Sequence, residues 1–195
     1  MRKLYCILLL SGISFFTFAQ NVASVNGKPI SSKEFMWVYK KNHGATHAAY
    51  HDLADYLHLY INFKLKVADA RANGLDSDTA YRKEISGYEN ALKTQRKASP
   101  KNAEYNFVVN EYREGVLMFN ISEKKIWSKI SDDEPALMAY YHVNNANYKG
   151  KAYDEVRAQV IADYQQRLED EWINTLKTKY PVKINEEELK KLAKP

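Results

Sequence analysis

His43, His47 and His51 recur at four-residue steps, and His58 follows seven positions later. On one helix such imidazoles would share a face, where neutral rings bind zinc or copper. Gly44 and the polar residues around it argue instead for a loop or a helix start. No cysteine completes a ligand set, although Asp52 and Asp55 lie nearby. These histidines therefore read as solvated surface groups, and no metal site is expected. Asp132, Asp133 and Glu134 group three carboxylates. Just ahead of a helical stretch, they read as capping groups favoured by the positive end of the helix, not as an acid–base pair. Serine-nucleophile motifs, phosphate loops and Ser-His-Asp spacings are not evident. No catalytic residue and no cofactor is expected.

The remaining chemistry is apolar. Met36 and Trp37 sit with Tyr39, Trp127 sits with Ile126 and Ile130, and Met138 sits with Tyr140 and Tyr141. Tyr60 belongs to the apolar face of a long helical pattern. Each group has two readings, ordinary core or an adaptable apolar cradle. Methionine and tyrosine suit the second because they adapt to varied partners at low entropic cost. Met36, Trp37, Tyr60, Trp127, Met138 and Tyr141 are the candidate contact residues.

Composition narrows the classes. The chain has 195 residues, a formal charge of +5 and one cysteine. Lysines and acids interleave, without the basic block of a nucleic-acid binder. Residues 1–19 have the pattern of a cleavable secretory signal, with Arg2 and Lys3 before an apolar run and Thr17-Phe18-Ala19 before the cut. That run is short for a membrane span, which takes about 20 residues, so no stable insertion of the mature chain is expected. Cys6 lies inside the signal, so the mature chain would carry no thiol, which suits an oxidising compartment.

The elements that must position these residues follow from the patterning. Asn26-Gly27 between short apolar runs predicts a tight hairpin turn. Ser31 with Glu34 predicts a capping box opening a helix over about 32–41. Leu53, Leu57, Tyr60, Ile61, Leu65, Ala68 and Ala72 predict a helix over 53–72, ended by Asn73-Gly74. A helix after Asp78 carries Tyr81, Ile85, Tyr88 and Leu92. Further helices are expected over 104–119, 123–130 and 134–146. A long one over 152–179 has a stripe of Val156, Val160, Tyr164, Leu168, Trp172 and Leu176. Val182–Ile184 alternates like a strand, and Asn185 with Glu188 predicts a last cap. A two-stranded hairpin alone is marginal in water, so Val182–Ile184 is expected to pair with the N-terminal segment and close the two ends on each other. The expected fold is mainly α, with a small β element joining the chain ends.

Several of these segments resemble the SurA and PpiC-type chaperones of the peptidyl-prolyl isomerase family. Val25-Asn26-Gly27-Lys28-Pro29-Ile30-Ser31 with Glu34-Phe35 is similar to that family's first strand and helix. The run Leu59 to Ala70 with Gly74-Leu75-Asp76 is similar to its next core helix. Glu111 to Phe119, Ile126 to Lys129, Ala162 to Gln165, Glu171-Trp172 and Lys179 to Asn185 resemble the segment that follows its isomerase domains. The resemblance implies one helical chaperone domain over 20–195, made of an N-terminal part (20–97), a short link (98–103) and a C-terminal part (104–195). It also implies periplasmic location, unfolded polypeptide clients, outer-membrane proteins above all, and no use of ATP. The parvulin catalytic domain that separates the halves in such proteins has no counterpart in the link, so isomerase activity is not expected. The alternatives are a minimal prolyl isomerase and a non-chaperone envelope assembly subunit.

Overall fold

A computed structural model describes residues 20–44, 48–96, 103–130 and 132–193. The expected signal at 1–19, the link up to residue 102 and His47 lie outside them. The protein is mainly α-helical, with a small three-stranded antiparallel sheet.

The sheet forms as the alternation and the turn residues dictate. Strands β1 (Asn21–Val25) and β2 (Lys28–Ser31) make a hairpin. Asn26 and Gly27 both adopt positive φ, 50° and 75°, the requirement of the two-residue turn whose twist matches the strands. Strand β3 (Val182–Ile184) lies on the other side of β1, with Val25 opposite Val182 and Ala23 opposite Ile184. The order is therefore β2-β1-β3, and the two ends of the chain close on each other as expected.

Helix α1 spans Ser32–His43 and starts on half of the expected capping box. The Ser31 hydroxyl accepts from the Glu34 amide at 3.1 Å. The Glu34 carboxylate does not reach back. It accepts instead from Tyr60 and Lys64, where a lysine ammonium in a half-buried site is a stronger partner than a neutral main-chain amide. Helix α2 (Tyr50–Ala72) ends where Gly74 takes a left-handed φ of 74°. Helix α3 (Thr79–Arg96) starts on Asp78, whose carboxylate accepts from the amides of Ala80 and Tyr81.

Helix α4 (Ala103–Ser122) departs from the sequence expectation. No separate helix begins at Glu123. The backbone continues through a π-helical segment, Glu123–Trp127, into the short α5, Ser128–Ile130. The Ser128 amide bonds back five residues to the Glu123 carbonyl, so one residue is inserted without breaking the helix. Helix α6 spans Glu134–Val143, three residues shorter than expected at its end, and a 3₁₀ turn (Asn145–Tyr148) follows it. Asp133 caps α6 through the Ala136 amide. Helix α7 spans Tyr153–Lys179, and α8 spans Glu186–Leu192, capped by Asn185.

Both halves of the chain build the main core. Val22, Val25, Ile30, Phe35, Leu53, Leu57, Ile61 and Leu65 pack with Ile173, Leu176, Tyr180 and Leu189. A second cluster joins Ile126 and Ile130 to α6 and α7, and a third joins Val67 and Ala70 of α2 to α3 and α4. Trp172 packs against all three.

Helix α2 runs through the middle, so two ionic residues of its C-terminal half are buried. Asp69 and Lys66 are 1% and 9% exposed. Asp69 holds Lys179 at 3.1 Å, Lys125 at 3.2 Å and the Tyr180 hydroxyl at 3.1 Å. Lys66 pairs with Glu169, which also accepts from the Trp127 indole at 2.6 Å. Burial pushes both carboxyls up, but Lys179 and Lys125 around Asp69, and Lys66, Trp127 and Gln165 around Glu169, more than offset it, leaving Asp69 below its ordinary 3.8 and Glu169 below its ordinary 4.5. A depressed folded value stabilises the fold fully above the unfolded value and is lost as pH falls through it. We therefore expect the melting temperature to be level from neutrality to about pH 5 and to fall below about pH 4.5. Asp69→Asn should flatten that fall while lowering stability at neutral pH, because Lys125 and Lys179 lose their charge partner. An acid limb unchanged in Asp69→Asn would remove this assignment.

Candidate functional site

An open groove of about 1290 Å³ lies between α1, α3 and α4. Its floor is one face of α4. Val108, Tyr112, Val116 and Phe119 follow one another at three- and four-residue steps and so align along the helix axis. The opposite side of α4 buries Leu117 and Ile121 against α2 and α3. Helix α4 thus carries two apolar strips, and one faces the groove. Helix α1 supplies one wall with Trp37, Lys40 and Lys41, and α3 supplies the other with Glu84, Tyr88 and Leu92.

Aromatic rings set the surface of the groove. Tyr88 stacks parallel on Tyr112 with ring centres 3.8 Å apart. Trp37 leans on Phe107 at 5.7 Å. Phe119 is 53% exposed and meets Trp127 edge to face at 5.4 Å. Polar contacts fix the walls. The Tyr112 hydroxyl donates to Glu84 at 3.0 Å, and that bond raises the phenol above its ordinary value. Lys41 of α1 pairs with Glu111 of α4, with its ammonium 5.6 Å from the Trp37 ring centre. Lys64 bridges Glu34 of α1 and Glu114 of α4, and Arg71 adds a second cation to Glu114 at 3.0 Å. The N-terminal wall is thus tied to the C-terminal floor by ion pairs. Gly115 lies in the floor, and a Cβ built there meets nothing within 4 Å.

Of the six candidate contact residues, only Trp37 lines the groove. Met36 packs against the main core. Tyr60 is a core residue. It stacks between Tyr56 and Phe63, donates to Glu34 at 2.8 Å, and has its phenol pushed far up by burial. Trp127 borders the groove through Phe119 but spends its N–H on Glu169. Met138 is 37% exposed on α6, away from the groove. Tyr141 is 8% exposed and donates to the Lys151 carbonyl at 2.6 Å. The six therefore do not form one surface. Sequence reasoning missed Tyr88, Val108, Tyr112, Val116 and Phe119 as a set. The signal was the apolar spacing 108-112-116-119, which lies beside a second strip in the same helix and blurs with it.

His43 lies on α1 and His51 and His58 on α2, while His47 lies outside the described residues. His43 ends α1, stacked on Tyr39 at 4.3 Å, and Gly44 follows in a left-handed conformation. His51 and His58 lie exposed on α2, with His51 beside Asp55 at 2.9 Å. Among the described residues no group of three metal-ligating side chains occurs, and no helix is long and apolar enough to cross a membrane.

Fold and groove together define a mainly α module whose chain ends share a small sheet and whose open apolar groove is built from both halves. Comparison with protein-family models, with curated proteins and with solved structures finds no match to this chain.

Proposed function

We propose that the protein is an ATP-independent chaperone that holds unfolded polypeptides, above all outer-membrane or secreted chains, in the groove between α1, α3 and α4. The observation that carries this reading is the groove itself: apolar and aromatic on its floor, open to solvent, and about 1290 Å³ in volume. Natural monomers keep exposed apolar surface in one patch chiefly where something binds. The floor from Glu104 to Asn120 runs about 24 Å at the helical rise, which matches about seven residues of extended chain. Each contact would be weak and broad in sequence, because a flexible client loses entropy when ordered.

The resemblance to the SurA and PpiC-type chaperones supports the same reading. So does the leader pattern of residues 1–19, which would deliver the chain to the periplasm, where no ATP is at hand. The test is dilution of a denatured outer-membrane barrel protein into buffer without ATP, with the protein added at stoichiometric amounts and an inert protein of similar charge as control. Light scattering should fall with the protein and not with the control. Equal aggregation in both would dismiss the reading.

A further inference from the structure

We propose that the free edge of β3 is a second polypeptide-binding site, separate from the groove, which accepts an extended segment with an acidic residue opposite Lys183. The hydrogen-bond pattern of the sheet defines the edge. The Asn26 amide donates to the Pro181 carbonyl and the Asn185 amide to the Val22 carbonyl, both at 2.8 Å. With Ser24 opposite Lys183, antiparallel alternation turns the Lys183 main chain toward β1. It turns the N–H and C=O of Val182 and of Ile184 away from β1, toward the open side. Among the described residues no strand lies beyond β3, and no main-chain bond outside the sheet uses Val182 or Ile184. Two donors and two acceptors thus point outward in register.

The opposite edge of the sheet is guarded. In β2, Pro29 sits opposite Ser24, where its nitrogen faces the outer side and offers no donor. The β3 edge has no such block. Lys183 also discriminates between occupants. In the register that overlaps all three residues, a second copy of the chain would set Lys183 directly opposite its own counterpart, and like charges opposite one another are destabilising. An acidic residue at that position is attracted instead. Ile184, 36% exposed, and half-buried Val182, which packs on the main core, offer apolar flanks on the other face. The fitting segment therefore alternates apolar residues around a central acid.

The probe is a fluorescein-labelled Thr-Val-Glu-Val-Thr peptide, followed by anisotropy on the purified protein. We expect saturable binding that weakens with salt. Lys183→Glu should weaken it about fivefold and favour a Lys-centred peptide by a similar factor. Methylating both valine amides, which removes the donors and blocks the pairing, should weaken it by at least about fivefold. Lys183 is exposed, so an unchanged melting curve is expected for the variant. Gly115→Gln, which fills the groove, should leave peptide binding unchanged, so the edge and the groove stand or fall separately. Binding indifferent to valine methylation or to Lys183→Glu overturns the proposal, as does sedimentation of a dimer that excludes the peptide.

Discussion

A chain ended at Tyr180 should be unfolded at room temperature, not merely shortened. The truncation removes β3 and α8, and with them Leu189, which is 1% exposed in the main core. Loss of a buried leucine side chain alone costs about 2–5 kcal/mol. It also removes the bonds from Asn26 to Pro181 and from Asn185 to Val22. The Ser32 hydroxyl loses its 2.7 Å bond to the Glu188 carboxylate. What remains of the sheet is a two-stranded hairpin, which has marginal stability in water. Against a total of about 5–15 kcal/mol for a domain of this kind, these losses together are comparable with the reserve. Circular dichroism checks this: the truncated chain should lose its cooperative melt. A helical fragment melting within a few degrees of the parent would refute the closure of the ends as a stabilising device.

Trp172→Ala should be the most damaging single substitution. Trp172 is the one side chain shared by the three larger clusters of the described core. Lys66 and Lys125 lie 5.2 Å and 5.8 Å from its ring centre, and both lysines also hold carboxylates of the α2–α7 contact. Truncation leaves a cavity where three packing units meet and strips an aromatic surface from buried Lys66 and exposed Lys125. We expect a loss of about 3–5 kcal/mol, which for a chain of this size lowers the midpoint by roughly 6–20 °C. Trp37→Ala, in the groove wall, should cost much less stability. A denaturant midpoint for Trp172→Ala close to that of the parent would remove Trp172 from the centre of the fold.

Much of this arrangement was legible in the residues. The hairpin and the caps at Ser31, Asp133 and Asn185 follow from local chemistry that tertiary contacts do not override, and the pairing of β3 with β1 follows from the marginal stability of a lone hairpin. The second half of the capping box failed because Glu34 had better partners, Tyr60 and Lys64, 26 and 30 residues away. The break expected at Glu123 failed because a π turn absorbs a surplus residue without any glycine or proline to announce it. The groove was the least legible feature. Its floor residues read as ordinary helical apolar positions, and only the placement of α1 and α3 on either side of α4 leaves Val108, Tyr112 and Val116 partly open and Phe119 exposed. Tyr60 and Tyr141 went the other way: aromatic residues are readable in a sequence, but which face of the helix meets the core is decided by its neighbours.

The groove reading is tested most directly at Gly115. A Cβ there meets no neighbour, and replacing a glycine inside a helix gains about 0.5–1 kcal/mol. Gly115→Gln should therefore fill the floor of the groove while keeping the fold intact or slightly more stable. The measurement is the affinity of a fluorescently labelled, urea-unfolded outer-membrane barrel protein for the parent and for Gly115→Gln, alongside their melting curves. At least tenfold weaker client binding by a variant with an undiminished melting temperature is the predicted result. Client binding unchanged in that variant would contradict the groove as the binding site.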